Sequence, residues 1–297
     1  MRRVNQNITV SMALAIALLL TAPAGAGTGM RNMLNLTGAR QAAMGETVVL
    51  HQADPFNLEY NPAAIIGLTK GRVGFSYNSF IQDRNNNSLA AIFPVKSVIC
   101  GIHARLAGVG DIEVRQGPTS EPDYIAGSHD FALKAFAAYK ILPRLQAGIS
   151  AGWLMEKIDV DRASIAAVGF GAAYYAPYDL AFHASVSNLG GKITYIAQKD
   201  DPPTIYRAGA AYRRGPGRLA ADYVSIKSGE GRLHMGGEYL IQQMLFLRAG
   251  YQVGYDNRDF STGVGFAYKD FRIDYAFVPY KSDLGNSHQF TLIYAIR

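Results

Sequence analysis

The sequence contains a single cysteine, Cys100, in 297 residues. One cysteine excludes an intramolecular disulfide framework, which small secreted domains normally use to stabilise a limited core. After residue 26, no apolar run reaches the ~20 residues that a membrane-spanning helix needs. Hydrophobic residues nevertheless make up 49% of the chain. The apolar residues are therefore distributed over many short segments.

Neither an excess of one charge nor clustered histidine is present. The 29 basic residues only slightly outnumber the 23 acidic ones and are not clustered, so no nucleic-acid partner is expected. The six histidines occur singly, without the spacing that places two ligands on one metal ion. We therefore predict no metal site and no cofactor.

Residues 1–26 are typical of a secretory signal peptide. Arg2 and Arg3 precede an apolar run from Val10 to Leu20, and Ala24-Gly25-Ala26 provides a small-residue cleavage site. The apolar run contains about a dozen residues, whereas a spanning helix needs ~20. The sequence thus predicts an exported protein with a cleaved leader.

From Lys70 onward, apolar residues recur at every second position, the period of a β-strand whose two faces meet different environments. Most of these segments have a length close to the ~9–11 residues that a tilted strand needs to cross a bilayer. Charged residues fall mostly on one face, as Arg248 does opposite Leu247 and Ala249. The fourteen predicted strands cover 71–82, 87–95, 97–107, 129–141, 144–156, 163–175, 179–188, 204–213, 218–227, 231–240, 244–255, 259–268, 270–280 and 287–296.

Alternation of apolar and polar residues does not by itself distinguish a membrane barrel from a secreted soluble β protein. In both, one face of each strand is apolar and the other meets water. The connections favour the barrel. Short links alternate with longer polar links such as 107–128, 157–162 and 189–203, which is typical of outer-membrane barrels with periplasmic turns and extracellular loops. We predict an all-β, transmembrane antiparallel β-barrel of about 14 strands over 70–297, in the bacterial outer membrane and in contact with its lipid.

The stretch 38–67 lacks the two-residue period. Ala39–Gly45 is rich in helix formers, Ala53-Asp54-Pro55 interrupts regular structure, and Tyr60-Asn61-Pro62 predicts a turn. We predict that residues 27–69 form an amino-terminal plug inside the lumen.

Charged residues in the lumen phase carry both signs. Buried charges must be paired, so mixed signs favour a network that anchors the plug through Arg40, Glu46, Asp54 and Glu59, with a conducting polar channel as the alternative. The predicted lumen charges are His103, Arg105, Asp130, Lys134, Glu156, Arg207, Asp222, Glu238, Arg248, Arg272 and Asp274.

Serine–histidine chemistry is the catalytic alternative. Ser150, Ser185 and Ser187 lie in the lumen phase of predicted strands, as does His183. No nucleophile or oxyanion signature accompanies them, which favours ordinary small polar lumen residues. We predict that the protein is not an enzyme, and an outer-membrane hydrolase is the competing class.

Short motifs occur in a fixed order along the chain. Those assigned to the plug comprise Ala39, Arg40, Met44, Gly45, Tyr60, Asn61, Pro62 and Ala63. Asn188-Leu189-Gly190 and Glu238-Tyr239 follow further along the chain. In this order, the motifs resemble those of the PorV/PorQ family, a FadL-like group of outer-membrane barrels with a plug at the amino end. Glu46-Thr47 departs from the family's pattern.

The resemblance implies a non-catalytic barrel for transport or secretion. In type IX secretion, PorV/PorQ proteins act in export and surface attachment, so secretion-system proteins or exported cargo are the implied partners. The FadL-like architecture leaves a second function open: a channel for uptake of hydrophobic small molecules, with the ligand held between plug and wall. The residues themselves name neither cargo nor ligand.

Overall fold

Fourteen antiparallel strands close into a barrel in the part of the chain that the structure describes. The structure is a computed structural model and describes residues 29–35, 37–65, 67–80, 84–195, 198–227, 229 and 231–296. The predicted signal peptide lies outside the described residues. Because the first strand pairs with the last, the sheet has no free edge. The prediction of a closed barrel of about fourteen strands is confirmed.

Sixteen strands are present among the described residues, fourteen of them in the barrel. The short strands β8 and β9 pair only with each other, and β7 pairs directly with β10. The strands are β1 (Arg72–Ser79), β2 (Asn85–Val95), β3 (Val98–Val114), β4 (Tyr124–Leu142), β5 (Leu145–Ile158), β6 (Asp161–Tyr175), β7 (Leu180–Gly190), β8 (Ile193–Tyr195), β9 (Gln198–Asp200), β10 (Ile205–Arg214), β11 (Gly217–Ile226), β12 (Gly231–Ile241), β13 (Leu245–Val253), β14 (Phe260–Tyr268), β15 (Phe271–Pro279) and β16 (Asn286–Ala295).

Exposure alternates along the barrel strands as the two-residue period predicts. In β13, every second residue from Leu245 to Val253 is exposed, and the residues between them are buried. The outward set is apolar, with Leu247 44% and Ile273 54% exposed, whereas the neighbouring Arg248 is buried. An apolar outer face around a polar interior is the arrangement of a barrel that sits in lipid.

The two ends of the barrel differ in their connections. At one end, which we call the short-turn end, the links are residues 96–97, 143–144, 176–179, 215–216, 242–244 and 269–270. Lys96, Gly215 and Lys269 have positive φ in these links, as tight hairpin turns require. At the other, long-loop end, the links include 115–123, 191–204 and 254–259.

Three predicted loops contain more regular structure than expected. Within 107–128, β3 continues to Val114 and β4 already begins at Tyr124, across an irregularity between Val109 and Ile112 that breaks the two-residue period. The predicted loop 157–162 is a turn of only two residues, 159–160. The predicted loop 189–203 contains the β8–β9 hairpin, whose three-residue strands are too short to show a period.

The residues before β1 form what we call the inner segment, residues 29–35 and 37–65. It contains a 3-10 turn (Arg31–Leu34) and two short α-helices, α1 (Ala39–Ala43) and α2 (Asn57–Tyr60). Helix α1 packs against β13 to β16, and α2 contacts β3 and β7, on another side of the ring. Nearly every residue from 37 to 65 is buried. No helix among the described residues is long and apolar enough to cross a bilayer.

Candidate functional site

The turn at Tyr60-Asn61-Pro62 is fixed to two wall strands by one buried amide. Asn61 Oδ1 accepts a hydrogen bond from the backbone N–H of Ala63 (2.8 Å), the local bond that forms an Asx turn. Asn61 Nδ2 donates to the carbonyl oxygens of Ala172 in β6 and Ala184 in β7, both at 3.2 Å. One side chain thus closes the turn and attaches it to the wall.

Glycines in the wall make room for this turn. A Cβ on Gly148 would lie 2.5 Å from the carbonyl carbon and oxygen of Pro62, and a Cβ on Gly171 would overlap Asn61 Oδ1. Any larger residue at these inward positions therefore forces the backbone of the turn away from the wall. Ser185 supports the same contact, because its Oγ donates to the carbonyl oxygen of Tyr60 (2.8 Å).

A second close approach occurs at Met44-Gly45. Gly45 has φ +66°, and a Cβ there would lie 2.6 Å from the carbonyl oxygen of Met235. Its N–H donates to Ser261 Oγ (3.1 Å), and its carbonyl oxygen accepts from Gln252 Nε2 (3.1 Å). Only glycine combines this left-handed backbone with so near a wall.

Arg40 begins a chain of buried ion pairs. Its Nε and Nη2 donate to the two carboxylate oxygens of Glu238, at 2.8 and 2.7 Å, in the bidentate geometry that suits guanidinium and carboxylate. Glu238 also accepts from Arg248 Nε (2.8 Å) and from Arg218 Nη1 (2.6 Å). The inner segment and β11 to β13 therefore share one carboxylate.

The same network continues to β15 and returns to the inner segment. Asp274 pairs with Arg248 Nη2 (2.8 Å) and with Arg272 Nε (2.8 Å). Arg272 in turn pairs with Asp54 of the inner segment, and Asp54 lies 3.7 Å from Arg40 Nη1. We call this set the arginine network; it comprises Arg40, Arg218, Arg248, Arg272, Asp54, Glu238 and Asp274.

Glu59 forms a second cluster on β3. Its Oε2 accepts from the backbone N–H (3.1 Å) and the hydroxyl (2.8 Å) of Thr37, and its Oε1 lies 3.4 Å from Arg105 Nη1. Burial alone raises the pKa of Glu59, but the positive charge of Arg105 and neighbouring groups outweighs burial and lowers this pKa to about 2. Glu59 is therefore a carboxylate at neutral pH.

A third cluster joins the inner segment to β7, β10 and β11. Asp222 Oδ2 accepts from the backbone N–H of Val48 (2.9 Å) and from Arg207 Nη1 (2.8 Å), and Asp222 Oδ1 lies 2.9 Å from His183 Nε2. Arg207 Nη1 also donates to the carbonyl oxygen of Glu46 (2.7 Å). Asp222 thus joins the backbone of the inner segment to two wall side chains.

The fourth group contains two acidic side chains and no basic one. Asp130 and Glu156 lie directly opposite each other on β4 and β5, and both are buried. Asn32 Nδ2 donates to Asp130 Oδ2 (2.5 Å), and the N–H of Met30 donates to Glu156 Oε2 (3.3 Å). These two carboxyl groups therefore bind the 3-10 turn through hydrogen bonds from uncharged donors.

The eleven predicted lumen charges are all buried. All of them except Lys134 belong to these four groups, and His103 joins the Glu59 cluster, where its Nδ1 lies 3.6 Å from Glu59 Oε1. Lys134 Nζ donates instead to Asn188 Oδ1 (2.7 Å). Sequence reasoning missed Arg258, which pairs with Glu46 Oε1 (2.9 Å) from a long-loop link. The sequence did not indicate that Arg258 is buried, because an arginine in a loop is normally exposed.

Two cavities flank the inner segment along the lumen. The long-loop cavity has a volume of about 530 Å³, and the short-turn cavity has a volume of about 320 Å³. The short-turn cavity is lined by both apolar and basic side chains, among them Leu68, Ile99, Tyr175, Lys96, Lys140 and Arg144. The long-loop cavity is lined by Arg31, Asn32, Leu34, Asn35, Glu46, Arg84, Ile205, Arg207, Val224, Ile226, Arg232, His234, Gly254, Tyr255, Asp256, Asn257, Arg258 and Tyr280.

One of the candidate catalytic serines and the candidate histidine form hydrogen bonds with other residues. Ser185 donates to the inner segment, and His183 is engaged with Asp222. In the described part of the chain, no group of three or more His, Cys, Asp or Glu side chains is arranged to hold a metal ion.

Comparison with known proteins identifies relatives in fold. No protein-family model matches the chain, and no curated protein matches its sequence. The toluene transporter TodX of Pseudomonas putida matches with a TM-score of 0.64 and 12% identity, over 86% of this chain and 96% of TodX. The monoaromatic hydrocarbon channel CymD matches with a TM-score of 0.64 and 12% identity, over 89% of this chain and 98% of CymD.

A FadL homologue of Pseudomonas aeruginosa matches with a TM-score of 0.60 and 11% identity, over 88% of this chain and 98% of that protein. These likenesses show the fold alone: a closed β-barrel similar to those of TodX, CymD and the FadL homologue. The reported matches give no support to the narrower resemblance to PorV/PorQ.

Proposed function

We propose that this protein is a non-catalytic outer-membrane channel for the uptake of small hydrophobic molecules. The observation that carries the proposal is the fourteen-stranded barrel with its inner segment, which aligns with TodX and CymD over nearly their whole lengths. TodX is a toluene transporter, and CymD is a monoaromatic hydrocarbon channel. The apolar outer face of the wall supports the outer membrane as the location.

The inner segment acts in this proposal as the plug predicted from the sequence. Its anchors reach strands on all sides of the ring, from β3 and β4 through β7, β10 and β12 to β15. The cavities at the two ends of the lumen are the spaces that a solute would occupy before and after it passes this segment. A solute crosses only when part of the segment shifts from the wall.

Uptake by cells tests the proposal. A porin-deficient Gram-negative host that makes the full chain should place it in the outer membrane as a heat-modifiable barrel. Such cells should take up labelled toluene faster than cells with an empty vector, while entry of labelled sucrose stays unchanged. Recovery of the protein as a soluble species, or equal toluene entry with and without it, contradicts the proposal.

A second candidate is a role in protein secretion, favoured by the order of the short motifs that resemble PorV/PorQ. Two of those motif residues contact the barrel wall: Arg40 donates to Glu238, and Asn61 donates to backbone carbonyl oxygens of β6 and β7. Loss of the protein from its own cells should then leave exported proteins in the periplasm. Normal export together with slower toluene entry would favour the channel.

A further inference from the structure

The long-loop cavity is strongly cationic. Among the residues that the structure describes, two carboxylates line it, those of Glu46 and Asp256. Five guanidinium groups line it: those of Arg31, Arg84, Arg207, Arg232 and Arg258. Low-dielectric walls concentrate the field of such a set and attract ions of the opposite sign.

In the part of the chain that the structure describes, salt bridges neutralise only two of these five arginines. Arg258 is paired with Glu46 (2.9 Å) and Arg207 with Asp222 (2.8 Å). Among the described residues, no carboxylate oxygen lies within 4.0 Å of the charged nitrogens of Arg31, Arg84 or Arg232. Glu46 is neutralised by its own partner, so it does not cancel these three charges.

Aromatic rings hold two of the guanidinium groups in position. The guanidinium carbon of Arg232 lies 4.1 Å from the centre of the Tyr255 ring, and that of Arg258 lies 4.6 Å from it. Arg258 Nη1 also donates to the Tyr280 hydroxyl (3.4 Å). Arg232 is thus held in position without a carboxylate partner among the described residues. A guanidinium group in this state is suited to an anion that arrives with a ligand.

Apolar side chains adjoin these donors. In the strand register, Val224 of β11 lies between Arg207 of β10 and Arg232 of β12. Ile205 and Ile226 form the next pair toward the long-loop end, and all three apolar residues line the cavity. An anionic group bound by the arginines therefore has an apolar surface beside it.

We propose that the long-loop cavity binds a small organic anion with a flat apolar body, of the class of aromatic carboxylates. A carboxylate matches the planar donors of an arginine in bidentate geometry, and an aromatic body packs on the apolar patch. The volume of about 530 Å³ is that of a small-molecule site. The inference rests on the proposed function in one respect: the bound anion is one of the solutes that the channel admits.

Calorimetry on the purified full chain in neutral detergent tests the site, with benzoate, toluene and inorganic phosphate as probes. Benzoate should bind saturably and more weakly as salt is added, because salt screens the attraction. Toluene and phosphate should each bind more weakly, since one lacks the charge and the other the apolar body.

Substitution of Arg232 locates the binding. Arg232→Gln should weaken benzoate binding about tenfold or more, the effect of one lost charge-assisted hydrogen bond. Arg213→Gln is the matched control, because Arg213 is exposed and paired with Asp179 outside this cavity. Heat-modifiable migration verifies that each variant is folded, and Arg232→Lys, which keeps the charge, should bind with intermediate strength.

The outcomes separate the site from the channel. Equal benzoate binding by the parent and Arg232→Gln, no saturable benzoate binding, or equal binding of toluene or phosphate overturns the proposed site. Toluene uptake by cells without benzoate binding overturns the site and leaves the channel standing. Saturable, Arg232-dependent benzoate binding without passage of any solute supports the site and contradicts the channel.

Discussion

The inner segment is attached to the wall in two chemically different ways. At Arg40 and Asp54, it is held by charges, in a network that reaches β12, β13 and β15 and whose members are buried except for the partly exposed Arg218. At Asn61, it is held by a neutral amide that fits against Gly171, while the adjacent Pro62 backbone fits against Gly148. Both attachments fix backbone to wall, but they respond to different changes.

The two attachments should respond differently to pH and to the loss of a charged partner. A buried charge is stabilised only while its partners stay charged, so removal of one partner or of its ionisation is costly. The amide attachment carries no charge and depends on shape, so pH has no direct effect on it. Charged anchors therefore make the segment's position sensitive to charge, and the turn at Asn61 is the fixed point.

The largest effect is expected at the charged anchor. Arg40→Met leaves Glu238 and Asp54 with one cation fewer in a buried site, which should destabilise docking of the inner segment by ~3–5 kcal/mol. The measurement is protease sensitivity of residues 29–65 against urea concentration, in detergent. Arg213→Met, which breaks the exposed pair with Asp179, should cost at most ~1 kcal/mol. Equal losses in the two variants would show that the arginine network contributes no more than a surface pair.

Acidification should weaken the Glu59 cluster next. The pKa of Glu59 is lowered in the folded protein from 4.5 to about 2, so its stabilising effect is present above the unfolded value and is lost as pH falls toward 2. The shift corresponds to about 3 kcal/mol. The parent should therefore lose more thermal stability between pH 6 and pH 3 than Glu59→Gln does. Parallel pH profiles of the two proteins would contradict the role of Glu59.

The neutral anchor should contribute less. Asn61→Ala removes the bond to Ala63 and the bonds to two wall carbonyls, at an expected cost of ~1–3 kcal/mol. Proteolysis of the inner segment should become easier, while heat-modifiable migration shows an intact barrel. Loss of the barrel itself would mean that Asn61 stabilises the wall and not only the segment.

The smallest effect is a coupling between turn and wall. Gly171→Ala introduces a Cβ that overlaps Asn61 Oδ1 and should cost ~1–3 kcal/mol alone. In the Asn61→Ala background, the overlap with Oδ1 is gone and only the contact with Pro62 Cδ at 2.9 Å remains, so the added cost should fall by about 1 kcal/mol. Gly110→Ala is the control, because no atom lies within 4 Å of its added Cβ. If the stability losses of the two substitutions were additive, residues 61 and 171 would not be in contact.

The sequence predicts the barrel well because lipid and lumen impose a two-residue period on each strand. It fails where that constraint ends. At the irregularity near Asp111, which has φ 54°, the period shifts and β3 continues beyond the predicted end. The β8–β9 hairpin is held by Ile193 packing with Met30 and Leu154, contacts distant in sequence that no local pattern reveals.

Candidate site residues were predictable by type and phase but not by partner. Polar residues at inward positions had to be paired, which led to Glu238 and Arg272. Their partners lie 198 and 218 residues away, at Arg40 and Asp54, and nothing in the local sequence specifies such pairs. The cavity residues Arg232, Tyr255 and Arg258 were missed, because their convergence depends on strand register and on a loop that folds inward.

Conductance in planar bilayers tests the central proposal, a barrel kept closed at rest by its inner segment. The intact protein should conduct little, because the segment is anchored around the ring. Deletion of residues 39–67 should give a barrel that inserts and forms a large, steady ion-conducting pore, and Arg40→Met should show frequent openings. An intact protein whose pore is already as large and steady as that of the deletion variant would contradict the proposal.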